Sequence, residues 1–267
     1  PQWLFVAGLV RAAGGVPVEV PVFHELSQDP NFNFISLLET YITPRTRAIY
    51  FNNPDNPTGI SLFRAGLQKL AEFAHIHDLW IIADNAYENY DFTSEGFTDI
   101  AKLDMAGERT FSVYTFSKMY AIPGYRVGYV LSPISMSERM RKFGLYSIYS
   151  VSTSSQFGAF QALQTPKSTL KEYHLLAKQA RDIVAEQLQI PSTYAQGGIY
   201  VFLNLSKWPG NIDTFISTCI AHGVALVPGY AFGTGYDKYA RLCFTATNHE
   251  GLQEAIARIN RVYIHNI

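Results

Sequence analysis

The chain has 267 residues, 48% hydrophobic and 16% charged, a composition that suits a well-buried globular protein and excludes intrinsic disorder. Its formal net charge of −1 supplies neither a basic field for nucleic acid nor an acidic tail. Two cysteines, Cys219 and Cys243, are too few for a disulfide framework and lack metal-type spacing, and no apolar run reaches the about 18 residues of a membrane span.

Along the first part of the chain, short β-rich apolar runs alternate with helical patterns. Candidate strands are Val18–Val22, Ala48–Phe51, Leu79–Ala83, Phe111–Phe116 and Arg126–Leu131. Between the second and third lies a helix with Leu67, Leu70, Ala71 and Ala74 on one face. Such alternation predicts an α/β layer with a mainly parallel sheet flanked by helices. Helices follow over Ser137–Tyr146, Ser154–Leu163 and about Ser168 to Leu188. After Pro191 the texture changes to strand Ile199–Leu203, helix Asp213–Ala221, strands Ala225–Val227 and Arg241–Phe244, and a final helix capped by Asn248. We read this as a large domain over residues 1–168 and a smaller C-terminal α+β domain over 169–267.

The chemistry-bearing residues stand where these strands end, the usual place for ligands of α/β sheets. Lys118 follows an apolar strand in Thr115-Phe116-Ser117-Lys118-Met119. A lone lysine there is ordinarily a solvated surface residue. Nearby, however, Arg126 enters the next apolar strand, where a guanidinium needs an anionic partner, and Thr115 and Ser117 offer hydroxyls to phosphate oxygens. Upstream, Trp80-Ile81-Ile82-Ala83-Asp84 is a strand ending in an acid. Such an acid is either a turn cap or a carboxylate that keeps a pyridine nitrogen protonated. Tyr87 is close enough to present its hydroxyl to the same ring. Asn56-Pro57-Thr58-Gly59 is an ordinary turn by composition, or a turn that aims the Asn56 amide at a ring oxygen. About one helix and one strand separate Asn56 from Asp84, so the spacing predicts both at the same edge of the sheet.

Taken in order, Asn56-Pro57-Thr58-Gly59, Asp84-x-x-Tyr87, Ser117-Lys118 and Arg126 resemble the motif series of the class I/II pyridoxal-phosphate (PLP) aminotransferases of fold type I. The resemblance extends to Pro1-x-Trp3 and Gly14-Gly15 at the front and to Gly229, Phe232-Gly233 and Arg241 at the back. It implies a fold type I large domain with a small C-terminal domain. It also implies transfer of an amino group between an L-amino acid and a 2-oxo acid through a Lys118 Schiff base, in a homodimer with the active site at the subunit interface; the cysteine count makes a reducing cytoplasm the default setting. Asp84 would pair with the pyridinium nitrogen, and Asn56 and Tyr87 with the phenolic oxygen. Arg126, Ser117 and Thr115 would bind the phosphate and Trp3 would stack on the ring. Arg241 would grip the substrate α-carboxylate as a fork, with Asn56 beside it. A β-eliminating C–S lyase on the same fold, or a non-catalytic PLP-fold binding module, are the alternatives that the residues leave open.

In the family, Pro1-Gln2-Trp3 falls well inside the large domain, so the expectation is a segment of a longer polypeptide that binds PLP poorly on its own, with the glycine-rich phosphate loop upstream. No second cation for a distal carboxylate is identified, which favours an aromatic or neutral amino acid. His75 and His77, on a helix with no acidic or cysteine partner in range, read as ordinary surface or core residues. Cys243 reads as strand packing, and Gly197-Gly198 as a turn.

Overall fold

Residues rich in β-branched and aromatic side chains form the strands, and the i, i+3, i+4 apolar stripes form the helices between them. The computed structural model describes residues 1–264. In chain order the elements are helices α1 (Val6–Ala12), α2 (Val22–Gln28) and α3 (Phe34–Glu39), strand β1 (Ala48–Asn52), helix α4 (Arg64–Ile76), strands β2 (Trp80–Asp84) and β3 (Thr110–Thr115), the short helix α5 (Phe116–Met119), strand β4 (Gly128–Leu131) and helices α6 (Ile134–Ser147), α7 (Thr153–Ala162) and α8 (Lys167–Gln187). There follow strand β5 (Tyr200–Asn204), helix α9 (Ile212–Ala221), strands β6 (Val227–Pro228) and β7 (Tyr239–Cys243), and helix α10 (His249–Ile264).

The chain divides into two compact units. One comprises Ile42–Pro54 and Leu62–His174; the other comprises Pro1–Tyr41, Asp55–Ser61 and the chain from Leu175 onward. This partition differs from the single break expected near residue 168, and hydrogen bonds explain it. The Gln2 N–H donates to the Phe232 carbonyl at 2.9 Å, and the amides of Gln196 and Gly197 donate to the Gly59 carbonyl at 2.7 and 2.9 Å. The Thr193 hydroxyl donates to the Thr58 carbonyl at 2.6 Å. Both early segments are thereby tied to the C-terminal one.

In the unit built on Ile42–Pro54 and Leu62–His174, the sheet runs β1-β2-β3-β4. Its first three strands are parallel and β4 is antiparallel to β3. The β1–β2 crossover is α4, which buries Leu67, Leu70, Ala71 and Ala74 on the face predicted from the spacing. Parallel register brings Asn52 opposite Asp84 and Asp84 opposite Val113, so the polar ends of the strands share one edge. The strand expected from Arg126 begins only at Gly128, because Arg126 itself is left-handed with φ 55°.

In the other unit β5, β7 and β6 form an antiparallel sheet in that order. Helix α9 buries Ile212, Phe215, Ile216 and Cys219, and α10 buries Leu252, Ile256 and Ile259. Asn248 caps α10 as expected, its side-chain oxygen accepting the Gly251 N–H at 2.9 Å. The strand expected over Val18–Val22 does not form. The chain there has no regular structure until α2, which begins at Val22 and buries Phe23 and Leu26 three residues apart, a helical spacing.

Candidate active site

The carboxylate of Asp84 projects from the last position of β2. One oxygen accepts the Tyr50 hydroxyl at 2.9 Å, and the other accepts the Ala86 N–H at 3.1 Å. Burial pushes the Asp84 carboxyl above its ordinary value, while the Tyr50 and Ala86 hydrogen bonds and the charge of Lys118 oppose the shift. The strand end is locked in turn: the Asp84 carbonyl accepts the Asn52 side-chain amide at 2.7 Å and the Asn53 N–H at 3.0 Å. Tyr87 is buried just after β2, and Lys118 Nζ lies 5.9 Å from the centre of its ring.

Lys118 is carried by α5, a single turn that opens directly from β3. Thr115 caps this turn, its hydroxyl oxygen accepting the Ser117 N–H at 3.1 Å and its proton going to the Ser117 oxygen at 2.9 Å. The Phe116 N–H donates to the Val127 carbonyl at 3.2 Å, which brings the chain next to Arg126 against α5. Asp84, Tyr87, Thr115, Ser117, Lys118 and Arg126 thus belong to one unit, gathered where the parallel strands end. Arg126 departs from its expected setting. It is exposed rather than set in a buried strand, and its Nη1 donates to the Pro123 carbonyl at 2.7 Å. The left-handed turn and the exposed edge strand β4 explain why no buried anion is needed to hold it.

The other unit holds Asn56, Arg241 and Trp3. Asn56 is buried in a turn that Asp55 closes by accepting the Thr58 N–H at 3.1 Å and the Thr58 hydroxyl at 2.5 Å. Arg241, on β7, donates from Nη1 to the Asn56 side-chain oxygen at 2.9 Å. Its guanidinium lies over two rings, 4.0 Å from Tyr200 and 4.9 Å from Phe232. Its Nε is buried with no hydrogen-bond partner among the described residues. Trp3 is half-buried, with its ring edge-on to Phe5 at 5.3 Å. In the sheet it is Asn52, not Asn56, that stands opposite Asp84. The spacing measured the crossover correctly but not the four residues by which Asn56 lies beyond the strand.

Sequence reasoning missed Tyr50, Asn52 and Tyr200. Each sits inside a strand, where an aromatic or amide residue reads as sheet packing, and only side-chain geometry separates them from it. Among the described residues no group of His, Cys, Asp and Glu is placed to hold a metal ion, and no helix is long and apolar enough to cross a membrane. His75 and His77 contact Arg109 and Phe73, respectively. Gly198 has φ 70°, a turn conformation suited to glycine.

A lysine and a half-buried acid thus stand at neighbouring ends of a parallel sheet, the usual place for ligands of α/β folds. The family model for class I and II aminotransferases matches residues 1–259. Aromatic-amino-acid aminotransferase 2 of Thermococcus litoralis is 34% identical, over 98% of this chain and 68% of its own length. The aspartate aminotransferase of Pyrococcus abyssi is also 34% identical, with the same coverage of each chain. Among solved structures, the aromatic aminotransferase of Pyrococcus horikoshii matches with a TM-score of 0.91 at 34% identity, covering 99% of this chain and 72% of that one. The Thermus thermophilus aspartate aminotransferase with maleate matches at 0.87 and 30% identity, covering 98% and 68%. The chain belongs to the class I and II aminotransferases, a family of PLP-dependent enzymes.

Proposed function

We propose that this aminotransferase exchanges an amino group between an L-amino acid and a 2-oxo acid, using PLP held by the residues at the ends of β2 and β3. One observation carries the reading: the half-buried Asp84 carboxylate, held by the Tyr50 hydroxyl at 2.9 Å and the Ala86 N–H at 3.1 Å, in the same unit as Lys118, whose Nζ lies 5.9 Å from the Tyr87 ring. A carboxylate that burial drives toward its neutral form is suited to a cationic partner, and a pyridinium N–H is one. When bound, PLP supplies an electron sink for cleavage of the substrate Cα–H bond.

The chain's own residues supply the rest. Lys118 would hold the cofactor through Nζ and, when free, would serve as the base that takes the proton from the substrate Cα. Tyr87 and Asn56 would donate to the phenolic oxygen. Thr115 spends its proton on Ser117, which leaves the Ser117 O–H to donate to the phosphate beside the Arg126 guanidinium. Trp3 would cover a ring face. Arg241 would take the α-carboxylate, since its contact with the Tyr200 ring holds the guanidinium and its Nε is left without a partner among the described residues.

Incubation with a panel of amino donors tests the reading. Pyridoxamine phosphate together with the matching 2-oxo acid supports it. Pyruvate with ammonia would instead mark a β-eliminating lyase, and a stable adduct without turnover would mark a binding module. Relatives of equal identity carry the names of aromatic amino acids and of aspartate, so the panel must include both. We further propose a homodimer working in the cytoplasm. The exposed Phe143, Tyr146 and Phe157 on α6 and α7 and the two free cysteines support this, and sedimentation tests the dimer.

A further inference from the structure

Tyr50 lies in β1, in register with Ile82 of β2, two positions before the Asn52–Asp84 pair. From there its hydroxyl reaches diagonally to one Asp84 oxygen at 2.9 Å, while the Ala86 N–H takes the other at 3.1 Å. Each oxygen therefore has one internal donor, which fixes the plane of the carboxylate and leaves a lone pair on each for a ligand. The charged side chain acting on Asp84 is Lys118, from α5. A phenol that donates to a buried carboxylate favours the charged form, which burial alone disfavours.

We propose that Tyr50 is a positioning residue, which holds Asp84 ionised and oriented for the pyridinium nitrogen of the cofactor. The proposal rests on the cofactor role of Asp84 given above. It implies that part of the electron-sink strength of the site is set from the neighbouring strand β1.

The test compares the wild-type protein, Tyr50→Phe and Asp84→Asn. In the cofactor-free protein, carboxyl-carbon NMR follows the titration of Asp84, identified by the signal that Asp84→Asn removes. Tyr50→Phe keeps the ring and loses the donor, so the Asp84 titration should move upward by about one pH unit. The dissociation constant for PLP, measured by direct titration, should rise about tenfold in the same variant and more in Asp84→Asn. If Asp84→Asn weakens PLP binding but Tyr50→Phe leaves the Asp84 titration or the PLP affinity at the wild-type value, the role of Tyr50 is overturned and that of Asp84 stands. If Asp84→Asn leaves PLP affinity unchanged, the reading of Asp84 fails, and this inference with it.

Discussion

The Arg241 guanidinium carbon lies over the Tyr200 ring, 4.0 Å from its centre, while its Nη1 donates to the Asn56 side-chain oxygen at 2.9 Å. The ring contact and the hydrogen bond together hold the guanidinium in place, so its remaining donors are pre-positioned for a ligand. Lysine keeps the charge and loses both constraints. Arg241→Lys should therefore weaken substrate binding by about 1.5–3 kcal/mol, on the order of ten- to a hundredfold in KM, and barely change PLP affinity. Steady-state kinetics beside a PLP titration checks this. An equal loss of PLP affinity would move Arg241 to the phosphate.

Gly59 follows Asn56-Pro57-Thr58 at φ +71°, and a Cβ there would lie 2.6 Å from the Tyr200 carbonyl oxygen and 2.7 Å from the Ala195 Cβ. Neither neighbour can swing away, since one is backbone and the other a methyl on backbone. The Gly59→Ala change should cost about 2–4 kcal/mol from left-handed strain and overpacking, seen as a lower melting temperature. It should also raise KM, because the displaced turn carries Asn56.

Burial first, and then the charge of Asp99, push Glu88 from its ordinary 4.5 to about 7, with Lys102 opposing. The folded chain thus holds this proton at a pH where the unfolded chain has released it. Its contribution to stability is complete below about 4.5 and is lost as pH rises through about 7. Because Glu88 is only half-buried, solvent screening cuts the effect to the order of 1 kcal/mol. Glu88→Gln should match the wild type in thermal melts at pH 5 and exceed it at pH 8. A variant less stable than wild type at pH 8 would show that the charged form is the favoured one.

Much of the sheet was legible because strand-limited apolar runs and one amphipathic helix dictate it. β1, β2 and β3 fall within a residue of their expected limits, and Asn248 caps α10. Lys118 and Asp84 stood out only through the ordered series of motifs around them, since a lone lysine or acid at a strand end is ordinarily a surface residue or a turn cap. What the sequence concealed depends on distant partners. The segment from Pro1 to Tyr41 looked like the start of the large domain, yet the Gln2 N–H bonds the Phe232 carbonyl and the Glu19 carboxylate accepts the Thr234 N–H. Val18–Val22 reads as a strand by composition, and no neighbouring strand pairs with it. Arg126 reads as buried from the run that follows it, and a left-handed turn places it at the surface. Tyr50 carries no sequence signal of its own, because its importance lies in a hydrogen bond across the sheet.

The central claim is that Lys118 is the residue that holds the cofactor, facing Tyr87 and within the field of Asp84. Borohydride reduction of the PLP-loaded protein converts the carbon–nitrogen double bond between lysine and cofactor into a stable secondary amine. Proteolysis and mass spectrometry then report which lysine carries the pyridoxyl phosphate. The label should fall on Lys118 alone, and Lys118→Ala should lose the label, the visible absorbance of lysine-bound PLP and turnover. A label on any other lysine, or a Lys118→Ala enzyme that turns over at near-native rate, would contradict the account.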